Sequence, residues 1–153
     1  MIAKEFEDYL IHYADTYLTP AKDLAIFIDT HNTDHVMLVL ASNGFSRVPV
    51  ITKDRKYVGT ISVSDIIKYQ SEHQLDVDEL ARLDISNMVN KRIKTISISA
   101  NLTDIMHDLV DSSFLPVVTD DQTFMGIITR KSILKAINSL LHNFTATYEI
   151  KKK

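Results

Sequence analysis

Hydrophobic and polar residues follow a pattern along the chain that occurs twice. Short apolar runs bounded by polar turns predict six strands, at residues 25–29, 48–51, 57–62, 95–99, 115–119 and 124–129. Apolar residues spaced three and four apart predict four helices, at 34–43, from 64, at 103–111 and from 130. Two of these helices follow a Thr-Asp pair, at Thr33 and Thr103, which we take as the N-cap signal. Each half of the chain therefore has the predicted order β-α-β-β-α.

The scarce prolines and glycines mark an internal duplication. Proline and glycine stand ten residues apart at Pro49 and Gly59, and again at Pro116 and Gly126, which lie 67 residues further on. The 21 residues that begin at position 48 are identical to the later copy at eight positions, whereas unrelated segments share about one or two. Upstream of these strands the offset that aligns the copies best is 70, so we expect the second copy to lack three residues. We also expect the missing side chains of Gly59 and Gly126 to permit close approach to their strands.

Three further segments complete the predicted organisation. Residues 3–18 predict a helix with Phe6, Leu10, Tyr13 and Tyr17 on one face. Residues 75–90 are acidic and predict a helix or turn between the repeats, and the chain after Leu141 ends in three lysines and is expected to fray. The resulting divisions are an N-terminal helix at 1–16, the first repeat at 17–70, a linker at 71–86, the second repeat at 87–142 and a tail at 143–153.

Composition narrows the classes of protein. There is no cysteine, so disulfides, thiol nucleophiles and Cys-ligated metals are excluded. No apolar run is long enough for a bilayer and no export signal is apparent, so we expect a cytoplasmic protein without a membrane partner. A net charge of −3 argues against nucleic acid as a partner. No catalytic fingerprint or cluster of metal-binding histidines is present, so we expect neither an enzyme nor a metal or cofactor.

The two copies resemble CBS motifs, named after the regulatory region of cystathionine β-synthase. The resemblance rests on Tyr17-Leu-Thr-Pro20, on the stretch from Gly44 to Val50, and on Gly59-Thr-Ile-Ser-Val-Ser-Asp65, whose Ser62 and Asp65 fit the family's nucleotide pattern. The second copy matches through Gly126-Ile-Ile-Thr129, with Ser132 where an aspartate is expected. Two such motifs form a Bateman module. The implied fold is therefore α/β, of the α+β type, with tandem β-α-β-β-α repeats, pseudo-two-fold symmetry and an N-terminal helix.

A narrower resemblance is to the stand-alone CBS-pair proteins of Gram-positive bacteria that bind cyclic di-AMP. It rests on three short stretches, 22–25, 44–49 and 129–131. It implies one dominant ligand site in which Phe45 stacks on an adenine, Ser46 or nearby backbone binds the base, and basic residues bind phosphate. The implied ligand residues are Lys22, Asp23, Leu24, Ala25, Phe45, Ser46, Arg47, Thr129, Arg130 and Lys131, with Ser62 and Asp65 in a second nucleotide cleft.

Some of these residues can also be explained by a structural role without a ligand. Arg130 and Lys131 begin a helix, where each cation costs about 0.3–1 kcal/mol unless an anion binds there, so they are either phosphate ligands or exposed, solvated cations. Phe45 is either a stacking residue or part of the core, and Arg47 is either a ligand or a surface charge. Ser62 and Asp65 serve either a ribose or the N-cap of a helix.

The resemblance implies a non-catalytic sensor that binds cyclic di-AMP and controls a protein partner according to occupancy. The partner it implies is the (p)ppGpp synthetase/hydrolase or another metabolic enzyme, and we expect a homodimer. Two alternatives stay open. One is a sensor of an adenine mononucleotide (AMP, ADP or ATP), and the other is an interaction scaffold without a ligand.

Overall fold

A computed structural model describes residues 2–11 and 16–153 of the chain. The helices and strands follow one another in the order α1 Lys4–Ile11, β1 Leu18–Pro20, β2 Phe27–Ile28, α2 Thr33–Asn43, β3 Val48–Ile51, β4 Tyr57–Ile61, α3 Val63–Glu72, α4 Val77–Ala81, β5 Ile96–Ser97, α5 Leu102–Asp111, β6 Phe114–Val118, β7 Phe124–Thr129 and α6 Arg130–Thr147. A 3-10 turn, Ala21–Asp23, lies between β1 and β2. Each half thus has the predicted β-α-β-β-α order, and the predicted mixed α/β class is confirmed.

Each repeat builds one sheet in the same way. β2 runs parallel to β3, which pairs antiparallel with β4. β5, β6 and β7 repeat that arrangement in the second half. Each sheet packs on helices of its own repeat, and the two hydrophobic cores are separate. Val36, Ile61 and Ile66 lie in the first core, and Ile105, Leu115 and Ile133 lie in the second.

Each sheet is completed by a segment from the start of the other repeat. β1 lies at the start of the first repeat but pairs antiparallel with β7 of the second, with Thr19 opposite Ile127. Asn90 lies near the start of the second repeat and pairs with Thr60 of β4, through backbone hydrogen bonds of 2.9 and 2.7 Å in the two directions. The two repeats are therefore interlocked by a reciprocal exchange.

The repeated glycines make room for this exchange. A Cβ on Gly126 would lie 2.2 Å from the backbone oxygen of Thr19, and the φ of Gly126 is +152°, which L residues rarely adopt. A Cβ on Gly59 would lie 2.5 Å from the backbone oxygen of Asn90. The prediction that the missing side chains permit close approach is confirmed.

A pseudo-two-fold axis passes between the two hairpins. The Tyr57 backbone N–H donates to the Gln122 carbonyl and the Phe124 N–H donates to the Arg55 carbonyl, both at 2.9 Å. Each donor and each acceptor is matched by the residue 67 positions away. The rings of Tyr57 and Phe124 stack with their centroids 6.0 Å apart. These reciprocal contacts relate the two repeats by the predicted pseudo-two-fold symmetry.

The first helix of each repeat begins one residue earlier than predicted. The side chains of Asn32 and Asn101 are the N-caps, accepting from the backbone N–H of Asp34 and Asp104. Asparagine is a strong N-cap, and its use frees Thr33 to be buried where Leu102 is buried in the other copy. The two caps lie 69 residues apart, so the predicted offset of 70 is wrong by one and the second copy lacks two residues.

The predicted N-terminal helix is too long. Within the described residues α1 covers Lys4–Ile11 and Leu18 already belongs to β1, whereas Tyr13 lies outside the described residues. Tyr17 is buried in a turn, where its hydroxyl donates to the Leu10 carbonyl at 2.7 Å. Pairing with β7, which the local pattern does not reveal, takes this segment out of the helix.

The last helix is longer than predicted and includes part of the expected tail. α6 continues to Thr147 because Phe144 packs against both the Phe6 ring of α1, at 4.9 Å, and the Tyr148 ring, at 4.5 Å. Within the described residues, no helix has the length and apolarity needed to cross a membrane.

We expect Gly126→Ala to lower the free energy of unfolding by about 3–5 kcal/mol, because the new methyl group meets backbone and an unfavourable φ together. Gly44→Ala is the matched control, because Gly44 has a φ of +64° but open space around its Cβ position. Gly44→Ala should lower the free energy of unfolding by about 1–2 kcal/mol. Urea unfolding measures both, and equal losses would contradict a special role for the exchange at Gly126.

Candidate functional site

Two clefts lie beside the N-termini of the helices that close the repeats. The first cleft, about 360 Å³ in volume, lies between α3 and residues 87–92. The second cleft, about 480 Å³, lies between α6 and the segment that contains β1. Each cleft thus combines a helix of one repeat with the exchanged segment from the start of the other.

In the first cleft, Ser62 and Asp65 form a capping box at the start of α3. The Ser62 hydroxyl oxygen accepts from the Asp65 backbone N–H at 3.2 Å, and the Asp65 carboxylate accepts from the Ser62 N–H at 2.9 Å. Of the two readings of this pair, the helix-capping one is observed. A ribose-binding role stays a prediction.

The Asp65 carboxylate is further held by Arg47 and Asn90. The Arg47 guanidinium donates to it at 2.8 Å and to the Thr60 hydroxyl at 2.9 Å, and the Asn90 side-chain amide donates to its other oxygen at 3.2 Å. Burial alone would raise the pKa of Asp65, but hydrogen bonds from Ser62, Asn90 and Arg47 outweigh it and lower that pKa. Arg47 is therefore part of a polar network rather than a free surface charge.

Tyr57 lies close to this network. Burial raises the pKa of its phenol to about 12, and the nearby positive charge of Arg47 opposes that shift. Among the described residues, the buried hydroxyl has no hydrogen-bond partner. Tyr57 is accordingly neutral near pH 7 and adds no charge to the first cleft.

The second cleft repeats the helix cap without the acid. Thr129 is the N-cap of α6, and its hydroxyl oxygen accepts from the Ser132 backbone N–H at 3.1 Å. The Ser132 hydroxyl donates to the Thr129 carbonyl at 2.8 Å, where Asp65 has a carboxylate in the first repeat. The first turn of α6 contains no acidic residue.

Two lysines make the second cleft positive. Lys131 and Lys135 both line it and are four residues apart, so they project from the same side of α6. None of the described residues around this cleft is acidic, whereas Asp65 and Glu72 line the first. The principal side chains of the second cleft are Thr19, Thr129, Lys131, Ser132, Lys135 and Ser139.

Arg130 contacts another part of the molecule. Its guanidinium donates to the carbonyls of Leu109 and Val110, at 2.9 and 3.2 Å, in the last turn of α5. A cation there satisfies helix-terminal acceptors and complements the helix dipole. In the described structure Arg130 thus contacts α5 and does not line the second cleft, and its pairing with Lys131 around one anion stays a prediction.

The other predicted ligand residues lie outside the lining of the second cleft. Phe45 is 43% exposed, so it is not core, and it follows Gly44, the left-handed C-cap of α2. Ser46 is also exposed. Lys22 and Asp23 are exposed in the turn that packs beside β7, and Leu24 and Ala25 are half-buried after it. The structure groups Arg47 with Ser62 and Asp65, so the predicted single set of ligand residues is divided between two places.

Several cleft residues were not predicted from the sequence. Lys135 could have been found from its spacing to Lys131 and from its repeat equivalent, Lys68. Lys91 and Arg92, which line the first cleft, belong to a visible basic run. Thr19 lies in the stretch Tyr17–Pro20 that carries the resemblance, but nothing in the sequence placed it in this cleft, because that place depends on the pairing of β1 with β7.

The chain matches the family model of the CBS domain twice, over residues 20–72 and 84–139. Among curated proteins, it is 22% identical over 139 residues to cyclic di-AMP receptor B of Bacillus subtilis, covering 90% of this chain and 95% of that protein.

Two solved structures are much more similar to this chain. CbpB from Streptococcus agalactiae has 65% sequence identity and a TM-score of 0.96, with 99% of this chain and 96% of that chain covered. A CbpB in complex with c-di-AMP has 66% identity and a TM-score of 0.88, with 95% and 97% covered.

We expect the Asp65 network to make stability depend on acid pH. Because folding lowers the pKa of Asp65, its contribution is present above the unfolded value of 3.8 and is lost as pH falls through the lower folded pKa. Asp65→Asn should cost about 1–3 kcal/mol at pH 7 and progressively less below about pH 4. Urea unfolding at several pH values measures this.

The control for that measurement is Glu72→Gln, which removes an exposed carboxylate 3.7 Å from Lys68. Exposed pairs contribute about 0–1 kcal/mol, so this change should have little effect at any pH. An Asp65→Asn difference that stays constant down to about pH 3 would contradict the role assigned to the carboxylate.

Proposed function

The chain belongs to the CBS-domain family, and on that premise we propose that it is a non-catalytic regulator that binds cyclic di-AMP in the second cleft. The observation that carries this proposal is a cleft with two lysines, a helix N-terminus and no carboxylate among its described lining residues. The 66% identical CbpB solved in complex with c-di-AMP supports the same ligand. We further propose a cytoplasmic location for the protein.

The charge of the ligand matches the charge of the cleft. Cyclic di-AMP has two phosphodiesters, each with one negative charge, and Lys131 and Lys135 supply two positive charges from adjacent turns of α6. The N-terminal end of α6 adds a favourable dipole for an anion bound at its first turn. We assign the phosphate contacts to these two lysines and leave Arg130 on α5.

The adenines require apolar and stacking surfaces. The half-exposed ring of Phe45 offers one, since stacking contributes about 1–3 kcal/mol per base. Ser46 keeps its predicted role as a base-binding residue in this proposal, and Lys22, Asp23, Leu24 and Ala25 stay among the proposed ligand residues. Arg47 is already engaged by Asp65, so we assign it to the first cleft.

Regulation requires a partner whose affinity differs between the free and the occupied protein. Any such coupling is reciprocal, so a partner that prefers the free form must itself weaken ligand binding. We propose the (p)ppGpp synthetase/hydrolase as that partner, on the resemblance stated above, and co-purification with and without cyclic di-AMP tests it. Equal recovery under both conditions would contradict regulation by the ligand.

We further propose a homodimer formed through the helices. Ile67 and Leu134 occupy the same position in the two repeats and are 53% and 56% exposed, and Leu38 of α2, Val110 of α5 and Leu141 of α6 are 68–75% exposed. Burying such side chains against a second copy removes apolar surface from water. Light scattering should give twice the monomer mass, and Ile67→Lys with Leu134→Lys should reduce it. A monomeric wild type would contradict the dimer.

A second candidate is a sensor of AMP, ADP or ATP. The intact Ser62 and Asp65 pair of the first cleft favours it, because a carboxylate accepts hydrogen bonds from ribose hydroxyls. Lys68, Lys91 and Arg92 around that cleft offer charges for a phosphate. The two candidates use different clefts and predict different effects of substitution.

Calorimetric titration with cyclic di-AMP, cyclic di-GMP, AMP and ATP should show micromolar or tighter binding of cyclic di-AMP. Lys131→Ala should weaken the binding of cyclic di-AMP by about tenfold to a hundredfold, as expected for a charge-assisted hydrogen bond.

Two substitutions serve as controls. Arg130→Ala removes the adjacent cation and should lower stability by about 1–2 kcal/mol with affinity retained. Lys68→Ala removes the repeat equivalent of Lys135 and should leave cyclic di-AMP binding unchanged.

Each alternative gives its own result in the same titration. Tight AMP or ATP binding without a cyclic di-AMP signal would establish the second candidate instead. Binding of none of the four nucleotides would favour the scaffold. Loss of affinity in Arg130→Ala with unchanged stability would return Arg130 to the ligand site and contradict our assignment.

A further inference from the structure

We propose that Ser132 determines which adenine nucleotide the second cleft accepts, by admitting a phosphodiester-linked ribose and disfavouring a ribose with a free 2′,3′-diol. This inference rests on the proposed function. It concerns selectivity between cyclic di-AMP and a mononucleotide, which the two lysines alone do not provide because both ligands are anions.

The two repeats place residues 65 and 132 in the same backbone frame. The N–H of Asp65 donates to the Ser62 hydroxyl at 3.2 Å, and the N–H of Ser132 donates to the Thr129 hydroxyl at 3.1 Å. Both residues are third in their helix, beside a cleft. The side chain is therefore the main local difference, and it changes from an anion to a neutral hydroxyl.

The partners of the carboxylate are replaced together with it. At the offset of 67, Arg47 corresponds to Phe114 and Thr60 corresponds to Ile127. The guanidinium that holds Asp65, and the hydroxyl that this guanidinium also contacts, are thus both replaced by apolar groups in the second repeat. A carboxylate at position 132 would have no equivalent guanidinium to neutralise it. The second cleft accordingly lacks both the carboxylate and the guanidinium that pairs with it.

The chemistry of the two sugars explains what this loss achieves. A carboxylate accepts hydrogen bonds from both hydroxyls of a free cis-diol, as in AMP or ATP. In cyclic di-AMP the 3′ oxygen is esterified, so only the 2′ hydroxyl can donate, and a phosphate charge lies next to it. A carboxylate would then lose one hydrogen bond and face a like charge. The serine hydroxyl avoids that repulsion, and its oxygen can accept from the 2′ hydroxyl while it donates to the Thr129 carbonyl.

The experiment compares Ser132→Asp with Ser132→Asn, which have nearly the same size but different charge. Calorimetry should show cyclic di-AMP binding at least tenfold weaker in Ser132→Asp and within about threefold of wild type in Ser132→Asn. AMP should bind more tightly to Ser132→Asp than to wild type or Ser132→Asn. The carboxylate introduced by Ser132→Asp can complete with Thr129 the kind of capping box that Ser62 and Asp65 form, so the Tm of this variant should not fall.

Two results would overturn the role assigned to Ser132 and leave the proposed function intact. One is wild-type affinity for cyclic di-AMP in Ser132→Asp, and the other is an equal loss in Ser132→Asn, which would show that size and not charge decides. A wild-type protein that binds no cyclic di-AMP would overturn the proposed function, and this inference with it. The first two results leave wild-type binding intact, so the two failures are distinguishable.

Discussion

The exchange of one backbone segment between the two repeats is the contact on which the rest of the molecule depends. β1 closes the sheet of the repeat that it does not belong to, and Asn90 does the same in the opposite direction. Gly126 and Gly59 are the positions at which the exchanged backbone comes closest. Both clefts lie along these seams, because Thr19 of the exchanged segment lines the second and Asn90 lines the first. Neither cleft can form in an isolated repeat.

Symmetry of the backbone leaves the side chains free to differ. In the first cleft, the Asp65 carboxylate is satisfied within the protein by Arg47, Asn90 and Ser62, and a ligand there has to compete with those bonds. In the second cleft, the lysines have no carboxylate among the described lining residues to neutralise them. A charged group without an internal partner has more to gain from a ligand of opposite charge. The duplication has thus produced one cleft held by internal bonds and one suited to an anion.

The sequence pattern predicted the features that depend on interactions between residues close together in the chain. The two hairpins, the amphipathic helices and the repeated glycines could all be read from spacing, since each follows from residues near one another in the chain. β1 could not, because three residues including Pro20 become a strand only through pairing with β7. The contact of Arg130 was hidden for a similar reason, since its acceptors are carbonyls 20 and 21 residues away in α5. The sequence thus predicted that Lys131 lies at a helix start. It did not show that the neighbouring Arg130 contacts α5 instead of the second cleft.

The net charge of the chain says little about which ions it binds. A total of −3 disfavours bulk attraction to a polyanion, yet the second cleft presents two lysines and no acid among its described residues. Charges more than about 8–10 Å away are largely screened at physiological salt, so the local set decides the interaction with a small anion. Within a cleft, water is partly excluded and each nearby charge acts more strongly. A small, doubly charged anion can therefore be bound by a protein whose net charge is negative, and cleft composition, rather than overall charge, determines the preference.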